Sequence, residues 1–257
     1  MASMKFKGHF PVKCQNMMNV DFSIIPSYRC NLRCWFCMYD ASPENTSRLD
    51  YGMAKKFIET IDWNIINSVG FYGGEISIDM PLYQSFLDLI PEDKPRFTIT
   101  NGSWTTNLES CLKVLDFITK NKLRTKVSCT PEHKKFQNVE LLKKFQEASN
   151  GNVFIKENDD TKGRLLSMGR LKTMPFECTQ KCRNMSKPVV DGELPAYRMA
   201  LEPSGDIILQ SCDGRYPVIG SYNDTFDVIL ENLINFSSDA CIEKYLSYCG
   251  SSSNHAQ

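Results

Sequence analysis

Histidine is scarce in this chain: His9, His133 and His255 are the only three among 257 residues. None stands beside a cysteine in sequence, which works against the zinc knuckles whose Cys and His ligands come in close pairs. Net charge is absent as well, since thirty Lys and Arg offset thirty Asp and Glu. With no long run of one sign, the chain offers no electrostatic footprint for nucleic acid or for an anionic membrane surface. No stretch of ~18 apolar residues occurs, and the start lacks the basic-then-apolar pattern of a secretory signal, so membrane-spanning and secreted readings both fail. What the chain has in excess is cysteine, eleven residues in all. An odd count without a secretion signal argues against a disulfide framework. The expectation is a cytoplasmic protein with reduced cysteines, some of them bound to metal.

A hydrophobic fraction of 42% supplies a sizeable core. Residues 19–28 alternate with the period of a strand, and residues 52–66 read as an amphipathic helix with Met53, Phe57, Ile58 and Ile61 on one face. Strands are then expected at Ser68–Tyr72, Arg96–Thr100, Thr125–Cys129 and Asn152–Lys156, with helices over about 82–90, 107–120 and 136–148 between them. Strands alternating with helices of this length mean βαβ units and a parallel sheet, in which functional residues gather at the C-terminal ends of the strands. The pattern breaks near residue 158. Beyond it, Tyr197–Leu201 and Asp206–Gln210 flank the turn Glu202-Pro203-Ser204-Gly205, which predicts an antiparallel hairpin, and a helix follows over about 225–248.

Three cysteines share the run Arg29-Cys30-Asn31-Leu32-Arg33-Cys34-Trp35-Phe36-Cys37-Met38. Thiolates are the usual ligands of iron–sulfur clusters. A Cys-x3-Cys-x2-Cys spacing lets one short loop wrap three corners of a [4Fe–4S] cube and leaves the fourth iron open to a small molecule. The alternatives are a zinc site or buried thiols. Further on, a strand ends at Gly73-Gly74-Glu75 and the next at Thr100-Asn101-Gly102. Each tripeptide is a turn by composition, and the paired glycines allow a close backbone approach.

These motifs in this order resemble the radical S-adenosylmethionine (SAM) superfamily, down to the aromatic Phe36 before the third cysteine. The resemblance implies an α/β fold, a partial (β/α) barrel over residues 19–158. It implies a [4Fe–4S] cluster on Cys30, Cys34 and Cys37, whose open iron chelates SAM, and reductive cleavage of SAM to a 5′-deoxyadenosyl radical. By the same resemblance Gly73, Gly74 and Glu75 meet the methionine amino group of SAM, with Glu75 the catalytic-site carboxylate. Phe36, Thr100, Asn101 and Ser128 complete the cofactor site, and Arg164 or Arg170 would pair with the SAM carboxylate.

Cys178, Cys182, Cys212 and Cys249 are spaced around the predicted hairpin. The layout resembles the twitch or SPASM-like region that holds an auxiliary iron–sulfur cluster in some radical SAM enzymes, although the usual closing Cys-x2-Cys pair is absent. That assigns residues 159–250 to a second region with a β-hairpin and a helix, and 251–257 to a disordered tail. Cys249, or Cys241 before it, is the fourth ligand, or else one iron stays open. Substrate is the least legible feature. The expected reaction is hydrogen abstraction from a peptide or protein residue, as in many twitch-bearing relatives. The alternative is oxidation or rearrangement of a small molecule such as an amino sugar or nucleotide, and beyond that a non-catalytic iron–sulfur or zinc protein. An electron donor such as flavodoxin or ferredoxin is implied.

Overall fold

A computed structural model describes residues 19–157, 170, 196–209 and 217–239. The first half repeats strand and helix: β1 (Asn19–Ile24), α1 (Tyr51–Ile58), β2 (Ile66–Phe71), α2 (Met80–Leu87), β3 (Arg96–Thr100), α3 (Leu108–Lys120), β4 (Leu123–Cys129), the single turn α4 (Pro131–Lys134), α5 (Val139–Ala148) and β5 (Val153–Glu157). Then come β6 (Ala196–Leu201), β7 (Asp206–Leu209), β8 (Val218–Ser221) and α6 (Phe226–Asp239). Asx side chains start four of the helices. Asp50, Asp79, Asn107 and Asn138 each accept a backbone N–H from the first turn, satisfying donors that have no partner within the helix.

The described strands form a single sheet in the order β5-β4-β3-β2-β1-β6-β7-β8. Pairing is parallel from β5 through β6 and antiparallel between β6, β7 and β8. This is the partial barrel with a hairpin that the sequence predicts. One relationship is new: β6 lies parallel against β1, Asn19 beside Ala196 through Ile24 beside Leu201, so the hairpin continues the barrel sheet. Strand β8 was not expected either.

One sheet face carries the helices. Val20, Phe22 and Ile24 of β1 alternate into a core with Phe57, Ile58, Val69, Phe71, Phe86 and Phe226, all buried. Helix α6 docks there: the Phe226 ring lies 6.3 Å from that of Phe57, and the Phe226 N–H donates to Thr60 Oγ1 at 3.0 Å. The opposite face is mixed and partly open, with a small apolar cluster of Ile25, Ala200 and Ile208 and charged side chains beside it. Along it Arg198 reaches Asp21 at 3.6 Å, and the Arg124 guanidinium lies 5.3 Å and 5.1 Å from the Phe97 and Phe154 ring centres. The loops that follow the parallel strands meet at the C-terminal strand edge. No described helix is long and apolar enough to cross a membrane.

Element ends shift from the sequence reading for local reasons. α1 stops at Ile58 rather than 66, because the Thr60 hydroxyl donates to the Phe57 carbonyl and closes the last turn. α2 begins at Met80 rather than 82, with Pro81 in the first turn where its missing N–H costs nothing.

Candidate active site

The cysteine loop connects β1 to α1, and its ends are pinned by its own returning arm. Tyr28 N–H donates to Ser47 O at 3.1 Å, Cys30 N–H to Ser42 O at 3.0 Å, and Ser42 N–H to Tyr28 O at 3.3 Å. Between these pins the chain turns tightly, with Cys37 N–H on Cys34 O at 3.1 Å. Cys30, Cys34 and Cys37 are free thiols, each partly exposed at the C-terminal edge of the sheet. Every one of the three sulfurs has a nitrogen neighbour. Leu32 N–H and Asn101 Nδ2 approach Cys30 Sγ at 3.4 and 3.6 Å, Ala41 N–H approaches Cys37 Sγ at 3.4 Å, and His133 Nε2 lies 3.6 Å from Cys34 Sγ.

Burial pushes the Cys30 thiol up to about 11 and the Cys34 thiol up to about 12. Ionising them requires a cation, and a metal centre would expel their protons on binding. Among the described residues no group of His, Cys, Asp and Glu is disposed to hold a single ion. Three thiols on one loop, two with backbone N–H donors and the third beside a histidine ring nitrogen, fit a [4Fe–4S] cluster. Cys30, Cys34 and Cys37 would hold such a cluster, which would supply one-electron reducing chemistry at this edge.

The double glycine closes around this loop. Gly74 N–H donates to Ser27 O at 2.8 Å and Glu75 N–H to Arg29 O at 2.9 Å. A Cβ on Gly74 would lie 1.7 Å from Arg29 O, and one on Gly73, whose φ is +119°, would lie 2.4 Å from Ser27 O. The close approach read from these glycines therefore includes one between two protein segments, the end of β2 and the cysteine loop.

Glu75 is buried, only 2% exposed. Its Oε1 accepts from Thr100 Oγ1 at 2.6 Å, Ser77 Oγ at 2.8 Å and Ser77 N–H at 3.2 Å, and its Oε2 accepts from Asn101 N–H at 2.8 Å. All four donors are neutral. Burial holds the carboxyl above the usual carboxylate range, although these bonds pull the other way. Asn101 then carries the connection onward: its Nδ2 donates to Asn31 Oδ1 at 3.0 Å as well as approaching Cys30 Sγ.

Thus Cys30, Cys34, Cys37, Phe36, Gly73, Gly74, Glu75, Thr100 and Asn101 come together at one edge. Ser128 is the second-last residue of β4, and its backbone carbonyl accepts from Gln137 Nε2 at 2.7 Å. Arg164, Cys178, Cys182, Cys212, Cys241 and Cys249 lie outside the described residues, as does the proposed tail 251–257.

Two residues make contacts that the sequence does not announce. Arg170 turns its guanidinium to the cysteine loop. It donates to the Cys34 carbonyl, to Ala41 O at 2.8 Å and to Asp40 Oδ1 at 2.8 Å, while its N–H meets Cys37 O at 3.1 Å. Histidine, remote in sequence, is close in space: His133 is buried beside Cys34, and its ring meets the edge of Phe36 with centres 5.6 Å apart. Burial lowers its pKa and favours the neutral ring. A signal for it exists in the sequence. Thr130-Pro131 after a strand is a helix start, which puts His133 in the first turn at the C-terminal edge of β4.

Known proteins bear on this arrangement. Residues 24–160, more than half of the chain, match the Radical SAM superfamily. A 90-residue segment is 30% identical to the putative peptide biosynthesis protein YydG of Bacillus subtilis (strain 168), covering 34% of this chain and 28% of that protein. Among solved structures, BtrN in complex with AdoMet and 2-DOIA superposes with a TM-score of 0.54 at 16% identity, covering 90% of this chain and 86% of BtrN. Native anSMEcpe with bound AdoMet and Cp18Cys peptide gives 0.51 at 12% identity, covering 90% and 84%. The fold agrees with theirs, and by its match across residues 24–160 the chain belongs to the radical SAM superfamily.

Proposed function

We propose that this enzyme holds its catalytic [4Fe–4S] cluster on Cys30, Cys34 and Cys37 and uses SAM to abstract hydrogen from a peptide or protein residue. The observation that carries the cluster assignment is the set of three thiols, each with a nitrogen neighbour, packed against the Gly73-Gly74-Glu75 turn. Glu75 suits the methionine ammonium of SAM. It is a buried carboxyl whose donors among the described residues are all neutral, and of those four bonds Oε2 accepts one, leaving acceptor capacity there. An ammonium at that point would supply the missing positive charge. Phe36, Gly73, Gly74, Thr100, Asn101 and Ser128 line the same strand ends and form the rest of the cofactor site in this reading, with Arg164 a candidate for the SAM carboxylate. A flavodoxin- or ferredoxin-type protein delivers the electron.

The peptide substrate is supported by the similarity to YydG, whose name describes peptide biosynthesis. An auxiliary cluster on Cys178, Cys182 and Cys212, with Cys249 as fourth ligand, is supported by position. The hairpin β6–β7 spans Ala196–Leu209, between Cys182 and Cys212 as the sequence pattern requires. The test is anaerobic reconstitution with iron and sulfide, then SAM and dithionite, with 5′-deoxyadenosine as the product measured. Replacing Cys30, Cys34 and Cys37 together by Ala should abolish it, and persistence of 5′-deoxyadenosine in that variant sinks the assignment. Deuterium transfer from labelled candidate peptides into 5′-deoxyadenosine separates a peptide from a small-molecule substrate.

A further inference from the structure

We propose that His133 donates an Nε2–H hydrogen bond to the Cys34 thiolate and thereby raises the reduction potential of the cluster, an inference that rests on the cluster reading above. Nε2 lies 3.6 Å from Cys34 Sγ, within hydrogen-bond range for sulfur. The other ring nitrogen, Nδ1, lies 2.8 Å from Thr130 Oγ1, and the same hydroxyl oxygen accepts the His133 backbone N–H at 3.4 Å. Two proton arrangements satisfy the Thr130 contact alone. Either the hydroxyl donates to Nδ1 and Nε2 carries the ring proton, or Nδ1 carries it and Nε2 turns a bare lone pair toward Cys34.

A metal-bound thiolate decides between them, because it is an acceptor only. A lone pair facing a thiolate would be repulsive. The Nε2–H form is therefore the one compatible with a ligating Cys34, with the Thr130 hydroxyl donating to Nδ1. The ring has little freedom to turn away. His133 is 6% exposed, Pro131 fixes the first position of its helical turn, and the Phe36 ring meets it at 73°. Cys30 has an amide side chain and a backbone N–H beside it, and Cys37 has a backbone N–H. His133 is the ring donor for the third corner. Reduction adds negative charge to the cluster and its sulfurs, so a donor at Sγ stabilises the reduced form more than the oxidised one.

His133 acts through Cys34 and is a positioning residue. The experiment is a potentiometric titration of the reconstituted enzyme, followed by electron paramagnetic resonance, for the natural protein and for His133→Leu and His133→Gln. Leu removes the donor, whereas the Gln amide can place an N–H near the Nε2 position. Iron content and the visible spectrum of the natural protein establish first that a cluster is bound, and their absence defeats the cluster reading itself. With the cluster present, His133→Leu should lower the midpoint so that the reduction equilibrium falls on the order of tenfold, which reads as about 59 mV for one electron. His133→Gln should recover much of that shift. An unchanged midpoint in His133→Leu, or equal shifts in Leu and Gln, overturns the inference. Should the Leu variant fail to load, the natural protein labelled with 15N-histidine decides the matter. Hyperfine coupling from a histidine nitrogen to the reduced cluster, lost in His133→Gln, supports the bond, and no coupling refutes it.

Discussion

Glu75 Oε2 accepts the backbone N–H of Asn101 at 2.8 Å, and through this bond the end of β2 holds the end of β3. Asn101 in turn reaches Cys30 Sγ and Asn31 Oδ1 at 3.6 and 3.0 Å. One carboxylate thus links the glycine turn, the third strand and the cysteine loop. Its role in the fold and its role at the cofactor are separable by experiment.

Glu75→Ala leaves the Thr100 hydroxyl and the Asn101 N–H buried without their acceptor. Each unsatisfied buried donor costs about 1–3 kcal/mol, so the variant should lose about 3 kcal/mol or more of stability in urea denaturation. The direct cofactor contact predicts, in addition, SAM binding weaker by about tenfold or more, since a charge-assisted bond is worth about 1.5–3 kcal/mol. Calorimetry on folded, iron-loaded protein reads the second effect. Loss of stability with unchanged SAM affinity would confine Glu75 to bracing.

The same residue gives a pH signature in the absence of SAM. Burial raises the folded-state pKa of Glu75 above its unfolded value. The folded protein therefore keeps a proton that the unfolded chain has released. The stability Glu75 contributes is fully present below the ordinary carboxylate range, and it is lost as pH rises through the raised folded value. Glu75→Gln cannot titrate, so the difference in unfolding free energy between the two proteins should move in favour of Gln as pH rises across that window. A difference independent of pH would show that Glu75 stays ionised in the folded protein.

Gly74→Ala tests the close approach. Its Cβ would fall 1.7 Å from Arg29 O, a backbone atom that cannot rotate aside. The contact relaxes only if the cysteine loop moves off the end of β2. We expect a loss of about 1–3 kcal/mol, typical of overpacking, together with reduced iron incorporation after reconstitution. Normal iron loading in Gly74→Ala would show that the loop can shift without disturbing the thiols.

Much of this site was legible in the sequence because it is local. β3 runs from Arg96 to Thr100 as its alternation predicts, and the three cysteines, the glycine turn and Thr100-Asn101 each sit at a strand end that periodicity locates. What escaped is non-local. The pairing of β1 with β6 joins residues 177 positions apart, Asn19 beside Ala196, and no turn residue marks it. The approach of His133 to Cys34 joins residues 99 apart, and that of Arg170 to Cys34 joins residues 136 apart. Both depend on how strands stack in the sheet, and a single-sequence pattern carries no such order. Arg170 shows the consequence. A basic side chain beyond the barrel strands suggests an anion partner, and its planar fork finds the Asp40 carboxylate together with two carbonyl oxygens of the cysteine loop.

Arg170→Ala supplies the last prediction. The guanidinium donates to the carbonyls of Cys34 and Ala41 and to Asp40, and the Arg170 backbone binds the Cys37 carbonyl. These contacts fix the outer half of the loop, opposite the side held by Gly74. Removing the side chain frees two carbonyls and an acidic partner that water can solvate at this partly exposed position, so the cost to global stability should be modest, about 1 kcal/mol. The cluster should suffer more than the fold. With Cys34 and Cys37 less constrained, iron should be lost faster to a chelator, measured as the rate at which bipyridine strips the reconstituted protein. Arg170→Lys should resemble Ala, because a single ammonium cannot span three acceptors set for a planar fork. Chelation rates equal to those of the natural protein in both variants would show that the returning arm and Gly74 hold the loop by themselves.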